Sequence, residues 1–237
     1  MLDVDMSQNA KSEEKVEFSS VMAVAIHDMK NSLSLLMQSI EQLADHLPSE
    51  SNYARERLNS VHYEANRMNT TLVQVLSLYR ASIDALPINV DEVYVSDLIE
   101  EVVDSNAVYI KDRAITVESE VDEDLSWFFD RDLIYLLIYD VLINAIRYGG
   151  TAVQIKAWVE DEQLQFQVSD NGPGYPSSML EISESELSQH SISEGRTGLG
   201  LFFARLIAQT HKNKGKQGKI LLSNGANGGS NFKLVLP

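Results

Sequence analysis

Four polar stretches carry residue types that can do chemistry. The first, His27-Asp28-Met29-Lys30-Asn31, sets an imidazole beside a carboxylate, with a side-chain amide four residues further on. A neighbouring carboxylate orients the ring and stabilises the positive charge that develops as the ring attacks, which suits a proton-accepting nucleophile. A solvated His-Asp pair on a helix surface has the same spelling, so this stretch alone leaves both readings open.

The other three stretches lie in the second half of the chain. In Asp140-Val-Leu-Ile-Asn144-Ala-Ile-Arg147-Tyr148, spacings of four and three place Asp140, Asn144 and Arg147 on one helix face. The amide oxygen of Asn144 is a hard ligand suited to Mg²⁺, and Arg147 can meet phosphate oxygens; a helix with one wet face reads the same way. Asp170-Asn171-Gly172-Pro173-Gly174 follows a strand pattern, so Asp170 emerges at a strand end while the glycines admit a close approach of backbone to a ligand. An ordinary Asn-Gly turn is the alternative. Gly195-Arg-Thr-Gly198-Leu199-Gly200-Leu runs into a helix and offers N–H groups to an anion, a weak signal by itself. The fixed order of the three, with a polar stretch before the last, is a stronger signal than any one of them.

The elements that must position these residues follow from periodicity. Met22, Ile26, Met29, Leu33, Leu36, Ile40, Leu43 and Leu47 alternate at spacings of four and three, the seam of a bundle helix running from about residue 16 to 47. His27 follows Ile26 and so turns off the seam toward solvent, with Asn31 on the same outer face. Pro48-Ser-Glu-Ser makes the connection, and Leu58, Val61, Ala65, Met68, Leu72, Val75 and Tyr79 repeat the pattern, which predicts an antiparallel helical hairpin. Such a hairpin leaves half its seam exposed, so a homodimeric four-helix bundle is expected. Residues 1–15 have no sustained period and are expected to be a tail.

Beyond a hinge near Pro87 the pattern becomes mixed. A short strand at 93–95 and a helix from Asp97 to about Asp112 capped by Ser96 are expected, then strands at 115–121 and 127–129. An apolar helix from Arg131 to Tyr148 stops at Gly149-Gly150. A hairpin of half-buried strands turns at 160–162, and residues 177–193, rich in serine and glutamate, read as a mobile lid with short helical turns. A helix over 199–211, a basic turn over 212–219 and strands at 220–223 and 232–236 close the chain.

Composition bounds the function. An apolar fraction of 44% over 237 residues is ample for one large or two small cores. The absence of cysteine excludes disulfides, thiolate metal sites and cysteine nucleophiles, and fits a reducing compartment. With no apolar run of about 18 residues and no signal-peptide core, a cytoplasmic protein without a membrane span is expected. Nineteen basic against thirty-five acidic residues give a formal charge of −16, which repels a phosphate backbone and argues against nucleic acid as a partner. An anionic nucleotide would need a local site of backbone N–H groups, a metal ion and a few basic side chains.

The four stretches together resemble the catalytic core of a bacterial sensor histidine kinase of the two-component systems. HDMKN is similar to the H box, DVLINAIRY to the N box, DNGPG to the first glycine box and GRTGLGL to the second, in the family's order and across about residues 16–237. The resemblance implies an α+β chain: a helical hairpin at 16–86 forming a dimeric four-helix bundle for dimerisation and histidine phosphotransfer, then an α/β sandwich of the Bergerat ATP-binding type at 91–237. It implies His27 as phosphoacceptor, Asp28 as the acid that activates it, and Asn31 as the residue that positions water for dephosphorylating a response regulator. It implies Asn144 as the Mg²⁺ ligand and Asp170 as reader of the adenine amino group. Gly172, Gly174, Gly198 and Gly200 would shape the ATP pocket and lid, with Asp140, Arg147, Tyr148 and Leu199 completing the cofactor-binding set.

Two positions of the N box depart from the family pattern. Asp140 stands where Glu is usual, shortening the carboxylate by one methylene, and Arg147 stands where Lys or His is common. The lid also lacks an aromatic box between the glycine motifs; Phe202 and Phe203 come after it. The expected function is an ATP- and Mg²⁺-dependent protein histidine kinase that autophosphorylates His27 and passes the phosphoryl group to an aspartate of a response regulator, and that can also act as its phosphatase. The departures sustain an alternative: a non-kinase dimeric nucleotide-binding module that acts on a response regulator as phosphatase or sequestering partner. No sensor domain precedes the H box, so either the chain is part of a longer receptor or a separate sensor protein docks on the hairpin. His46, His62, His190 and His211 match no motif and are expected at the surface or in helix packing, with His190 in the lid the one to test for nucleotide contact.

Overall fold

Alternating apolar side chains and one long apolar helix account for most of the architecture seen in a computed structural model, which describes residues 25, 28–29, 31–40, 42–43, 52–82, 86–184, 199–226 and 228–237. The chain divides into two units, Met1–Ser82 and Ile83–Pro237. The tail at 1–15, His27, His46, His190, Gly195 and Gly198 lie outside the described residues.

In the first unit, residues 28–29, 31–40 and 42–43 are helical (α1), and α2 spans Asn52–Ser82. Leu33 and Ile40 of α1 are buried with Ala65 of α2, and Met37, Leu58 and Leu72 pack on them. These positions belong to one set of seven-residue repeats: 33 and 40 on α1, with 58, 65 and 72 on α2. The complementary set stays open, since Met29, Leu36 and Leu43 on α1 and Val61 and Met68 on α2 are all exposed. Among the described residues, one half of the apolar seam is therefore used inside the chain, and these five positions of the other half are not.

The second unit is an α/β layer structure. Its strands are β1 (Asp91–Tyr94), β2 (Thr116–Val121), β3 (Ser126–Phe129), β4 (Ala152–Glu160), β5 (Gln163–Asp170), β6 (Lys212–Asn213), β7 (Lys216–Gln217), β8 (Lys219–Asn224) and β9 (Ser230–Leu236). Five of them form a mixed sheet in the order β2-β4-β5-β9-β8, with β2 parallel to β4 and every other neighbour antiparallel. The pairs β1-β3 and β6-β7 are separate two-stranded ribbons. The helices are α3 (Val95–Asp104), α4 (Ala107–Asp112), α5 (Arg131–Tyr148), α6 (Ser177–Glu184) and α7 (Leu199–Thr210).

The period of two decides which sheet face is covered. Val153, Ile155 and Ala157 of β4, Leu164, Phe166 and Val168 of β5, and Phe232, Leu234 and Leu236 of β9 are buried in one cluster. The same cluster takes Leu98, Ile99 and Val102 from α3, Ile134, Leu137, Ile138, Leu142 and Ile146 from α5, and Phe203 and Ile207 from α7. Phe129 and Phe166 meet edge to face at 6.1 Å in its centre, and truncating either to Ala would cost roughly 3–5 kcal/mol.

Local chemistry explains the boundaries. Asp130 caps α5 by accepting the N–H of Leu133 at 3.0 Å, and the helix ends at Gly149, followed by Gly150 at φ +82°. The β4–β5 turn places Asp161 and Glu162 at φ +53° and +57°, the paired left-handed conformation that suits the twist of a two-residue hairpin. The helix expected from Asp97 to Asp112 is broken. It starts at Val95, Ser96 points its hydroxyl at the carbonyl of Glu123 at 3.3 Å instead of capping, and Ser105-Asn106 interrupt it. Buried Asn106 donates its amide to the carbonyl of Val102 at 2.7 Å. Such back-bonding of a short polar side chain competes with helix continuation. Within the stretch read as a lid, residues 177–184 form α6 and the remainder lies outside the described residues.

Candidate functional site

Helix α5 carries Asp140, Asn144, Arg147 and Tyr148 to the end of β5. It can come this close because both partners lack side chains at the crossing. A Cβ added to Gly149 would lie 2.5 Å from Cβ of Asp170, and one added to Gly172 would lie 2.7 Å from Cα of Gly149. The sheet end and the helix end thus share one corner of the unit, with Asn144, Arg147 and Tyr148 exposed beside the half-buried Asp170.

Asp170 is held by the main chain. Its Oδ1 accepts the N–H of Gly172 at 2.8 Å and of Ser230 at 3.2 Å. Its Oδ2 has no hydrogen-bond partner among the described residues, so the carboxylate is fixed through one oxygen and offers the other as an acceptor. Asn171 turns the opposite way, with Oδ1 accepting the N–H groups of Thr151 and Ala152, each at 2.9 Å, and Nδ2 donating to Oγ1 of Thr151 at 3.1 Å. Those bonds lock the turn to the start of β4. Tyr175, just beyond the turn, has its phenol pushed well above its ordinary range, first by burial and then by the carboxylate of Asp170. It therefore stays protonated.

On α5, the Nδ2 of Asn144 lies 3.5 Å from Oδ2 of Asp140, one helical turn away. The guanidinium of Arg147 sits 5.1 Å from the ring centre of Tyr148, a cation–π arrangement. Asn144 and Asp140 supply hard oxygen donors on one face, a set that fits a Mg²⁺ ion retaining several waters. Leu199 and Gly200 open α7, both half-buried.

In the first unit, Asp28 and Asn31 are exposed helical residues. Asp28, Met29, Ser32 and Leu33 of α1 face Glu64, Arg67, Met68, Thr71 and Leu72 of α2 across a shallow recess. Arg67 pairs with Glu64 at 3.1 Å on the rim.

Several residues at this corner were not singled out in the sequence. Ser230 and Asn224 sit in a stretch that reads only as a Gly-Asn-rich turn, and Thr151 follows two glycines at a helix end. At the other end of α5, His211, expected at the surface or in helix packing, is 4% exposed and binds the main chain at the helix start. Its position just past an apolar helix was the available signal.

Residues 129–237 match the family described as histidine kinase-, DNA gyrase B-, and HSP90-like ATPase. The chain is 26% identical over 240 residues to the adaptive-response sensory kinase SasA of Synechococcus sp. (strain JA-2-3B'a(2-13)), covering 97% of this chain and 62% of that protein. It is 25% identical over 230 residues to the protein of the same name from Synechocystis sp. (strain ATCC 27184 / PCC 6803 / Kazusa), covering 92% and 58%. The chain thus spans about three fifths of the length of these curated relatives. Among solved structures, the catalytic domain of histidine kinase ThkA superposes with a TM-score of 0.52 at 27% identity, over 63% of this chain and 95% of that one. Full-length ShkA in complex with AMPPNP matches with a TM-score of 0.61 at 16% identity over 92% of this chain and 45% of that one, a likeness of fold. The second unit shares the α/β fold of these domains, a mixed sheet with helices. Among the described residues, no helix is long and apolar enough to cross a membrane.

Proposed function

Taking the chain as a bacterial sensor histidine kinase with an ATP-binding domain, the reading that the family match and the relatives support, we propose that it is an ATP-dependent protein histidine kinase. In this reading His27 takes the γ-phosphoryl group of ATP and hands it to an aspartate of a response regulator. The observation that carries the proposal is the fixed carboxylate of Asp170, held through Oδ1 by Gly172 and Ser230 at the corner where α5 brings Asn144.

Each residue has a role in that reaction. Asp170 accepts the exocyclic amine of adenine on Oδ2. Asn144 and Asp140 hold Mg²⁺, which neutralises phosphate charge when bound. Arg147 and Tyr148 border the phosphates, and the N–H groups of Leu199 and Gly200 at the start of α7, together with Gly198 of the same motif, receive anionic oxygens, while Gly172 and Gly174 keep the turn slim. Asp28 orients the imidazole of His27, whose ring nitrogen forms the N–P bond as ADP leaves. Asn31 positions the water that removes the phosphoryl group from the regulator. The work asked of these groups is positioning and charge neutralisation for in-line transfer.

Residues 16–86 act in this reading as the dimerisation and phosphotransfer hairpin and residues 91–237 as the catalytic domain. The open half of the seam, with Met29 45% and Met68 58% exposed, supports a dimeric four-helix bundle. The short carboxylate of Asp140, directed at Asn144 within its own helix, supports the second reading, a dimeric nucleotide-binding module that acts on the regulator without kinase activity.

The test is incubation of the chain with γ-labelled ATP and Mg²⁺, following acid-labile, base-stable label on the natural protein and on His27→Gln. Label confined to the natural protein is expected. Absence of label despite ATP binding, with a response regulator and a sensor protein supplied, would favour the module without kinase activity.

A further inference from the structure

The base-reading turn is gripped at its far end by a side chain 49 residues away. Asn224, the last residue of β8, accepts the N–H of Tyr175 on Oδ1 at 2.7 Å and donates from Nδ2 to the carbonyl of Tyr175 at 2.9 Å. The amide thus pairs with both main-chain groups of one residue. Its plane lies flat on Gly174, where an added Cβ would meet Cγ and Oδ1 of Asn224 at 2.9 Å and where φ is +84°.

The near end and the middle of the same turn are held by the other side of the β8–β9 connection. Asn224 is paired in register with Ser230, whose N–H reaches Oδ1 of Asp170, and Gly229 donates its N–H to the carbonyl of Gly172 at 2.8 Å. Because Oδ1 of Asp170 also takes the N–H of Gly172, the position of the turn and the aim of the carboxylate are coupled. A three-point grip fixes a rigid segment, and among the described residues Asn224 is the one side chain that the β8–β9 connection contributes to it.

We propose that Asn224 is a positioning and specificity-determining residue for the nucleotide base, acting through the turn 170–175 to aim Oδ2 of Asp170. The inference rests on the reading that this corner binds an adenine nucleotide. Asn224 itself is exposed, so its truncation opens no cavity and leaves water to satisfy the freed backbone groups. What it removes is the restraint on the turn. A misaimed acceptor loses its discrimination between adenine, which presents an amine at that edge, and guanine, which presents a carbonyl oxygen.

The experiment is calorimetric titration of the full chain with ADP and with GDP, together with thermal melting without nucleotide. The natural protein is expected to prefer ADP. Asn224→Ala is expected to bind ADP about tenfold more weakly, the scale of one or two lost hydrogen bonds, with GDP affinity little changed and melting without nucleotide preserved. Asn224→Asp keeps the acceptor for the N–H of Tyr175 but sets a carboxylate oxygen against its carbonyl, and is expected to lose preference in the same direction; it supplies the measurement if the alanine variant does not fold. Substitution of neighbouring exposed Ser223 by Ala should change neither nucleotide. An unchanged ADP-to-GDP ratio in both Asn224 variants overturns the positioning role while leaving nucleotide binding in place. A natural protein that binds neither nucleotide overturns the nucleotide reading and this inference with it.

Discussion

The main-chain N–H of Asp130 donates to Nε2 of His211 at 3.0 Å, tying the start of α5 to the residue that follows α7. Nδ1 of the same ring lies 2.8 Å from the carbonyl of Ile207, so Nδ1 carries the proton and the ring is neutral. Asp130 in turn caps Leu133 through Oδ1 and takes the N–H of Asn89 on Oδ2 at 2.7 Å. One buried pair therefore joins the segment entering the second unit, the helix bearing Asn144 and the helix opened by Leu199.

Burial holds the imidazole of His211 below its ordinary value of 6.5, outweighing the carbonyl of Ile207 and the carboxylate of Asp130, which act in the opposite sense. The unfolded chain takes up a proton in a range where the folded chain refuses it. The stability due to this group is therefore fully present above pH 6.5 and is lost as pH falls from there toward the folded value. Urea unfolding at about pH 7.5 and about pH 5.5 should show a drop in midpoint that shrinks in His211→Gln. The same drop in both proteins would show that other groups carry it.

Gly149→Ala places a methyl against Cβ of Asp170 and the carbonyl of Ala145. Overpacking of this kind costs about 1–3 kcal/mol, and it pushes α5 away from the turn. The expected outcome is a lower melting point together with loss of ADP binding by calorimetry; normal binding would mean that the approach of helix and turn is dispensable.

Met68→Glu puts a charge on the open half of the first unit's seam. Sedimentation velocity at micromolar concentration should find the natural chain dimeric and this variant monomeric. A natural chain that sediments as a monomer would contradict the four-helix bundle.

Asn31→Ala, an exposed helical position, should leave labelling of His27 intact and slow the removal of phosphoryl from a phosphorylated regulator, about 10²-fold if it positions the attacking water. An unchanged rate of dephosphorylation would remove Asn31 from the chemistry.

Much of the second unit was legible from short-range patterns. The helix Arg131–Tyr148 lies between a capping Asp130 and Gly149, and the β4 and β5 hairpin shows as alternation around 160–162; both depend on residues within a few positions of one another. The same holds for Asp170, Gly172 and Gly174, because a carboxylate at a strand end before a glycine turn is a local feature. The break at Asn106 was not legible, since Asn is common at caps and only burial turned its amide onto Val102.

What the sequence by itself determined was the inventory: which residues could bind a nucleotide, accept a phosphoryl group or line a helical seam. Tertiary structure decided what holds them. Ser230 meets Asp170 across 60 positions, Asn224 meets Tyr175 across 49 and His211 meets Asp130 across 81. Periodicity cannot show such pairs, because they are set by strand register and by which helix ends converge. The division of the seam is of the same kind: all its apolar positions look alike in sequence, and packing alone separates Leu33 and Ile40, which α2 covers, from Met29 and Leu36, which remain open.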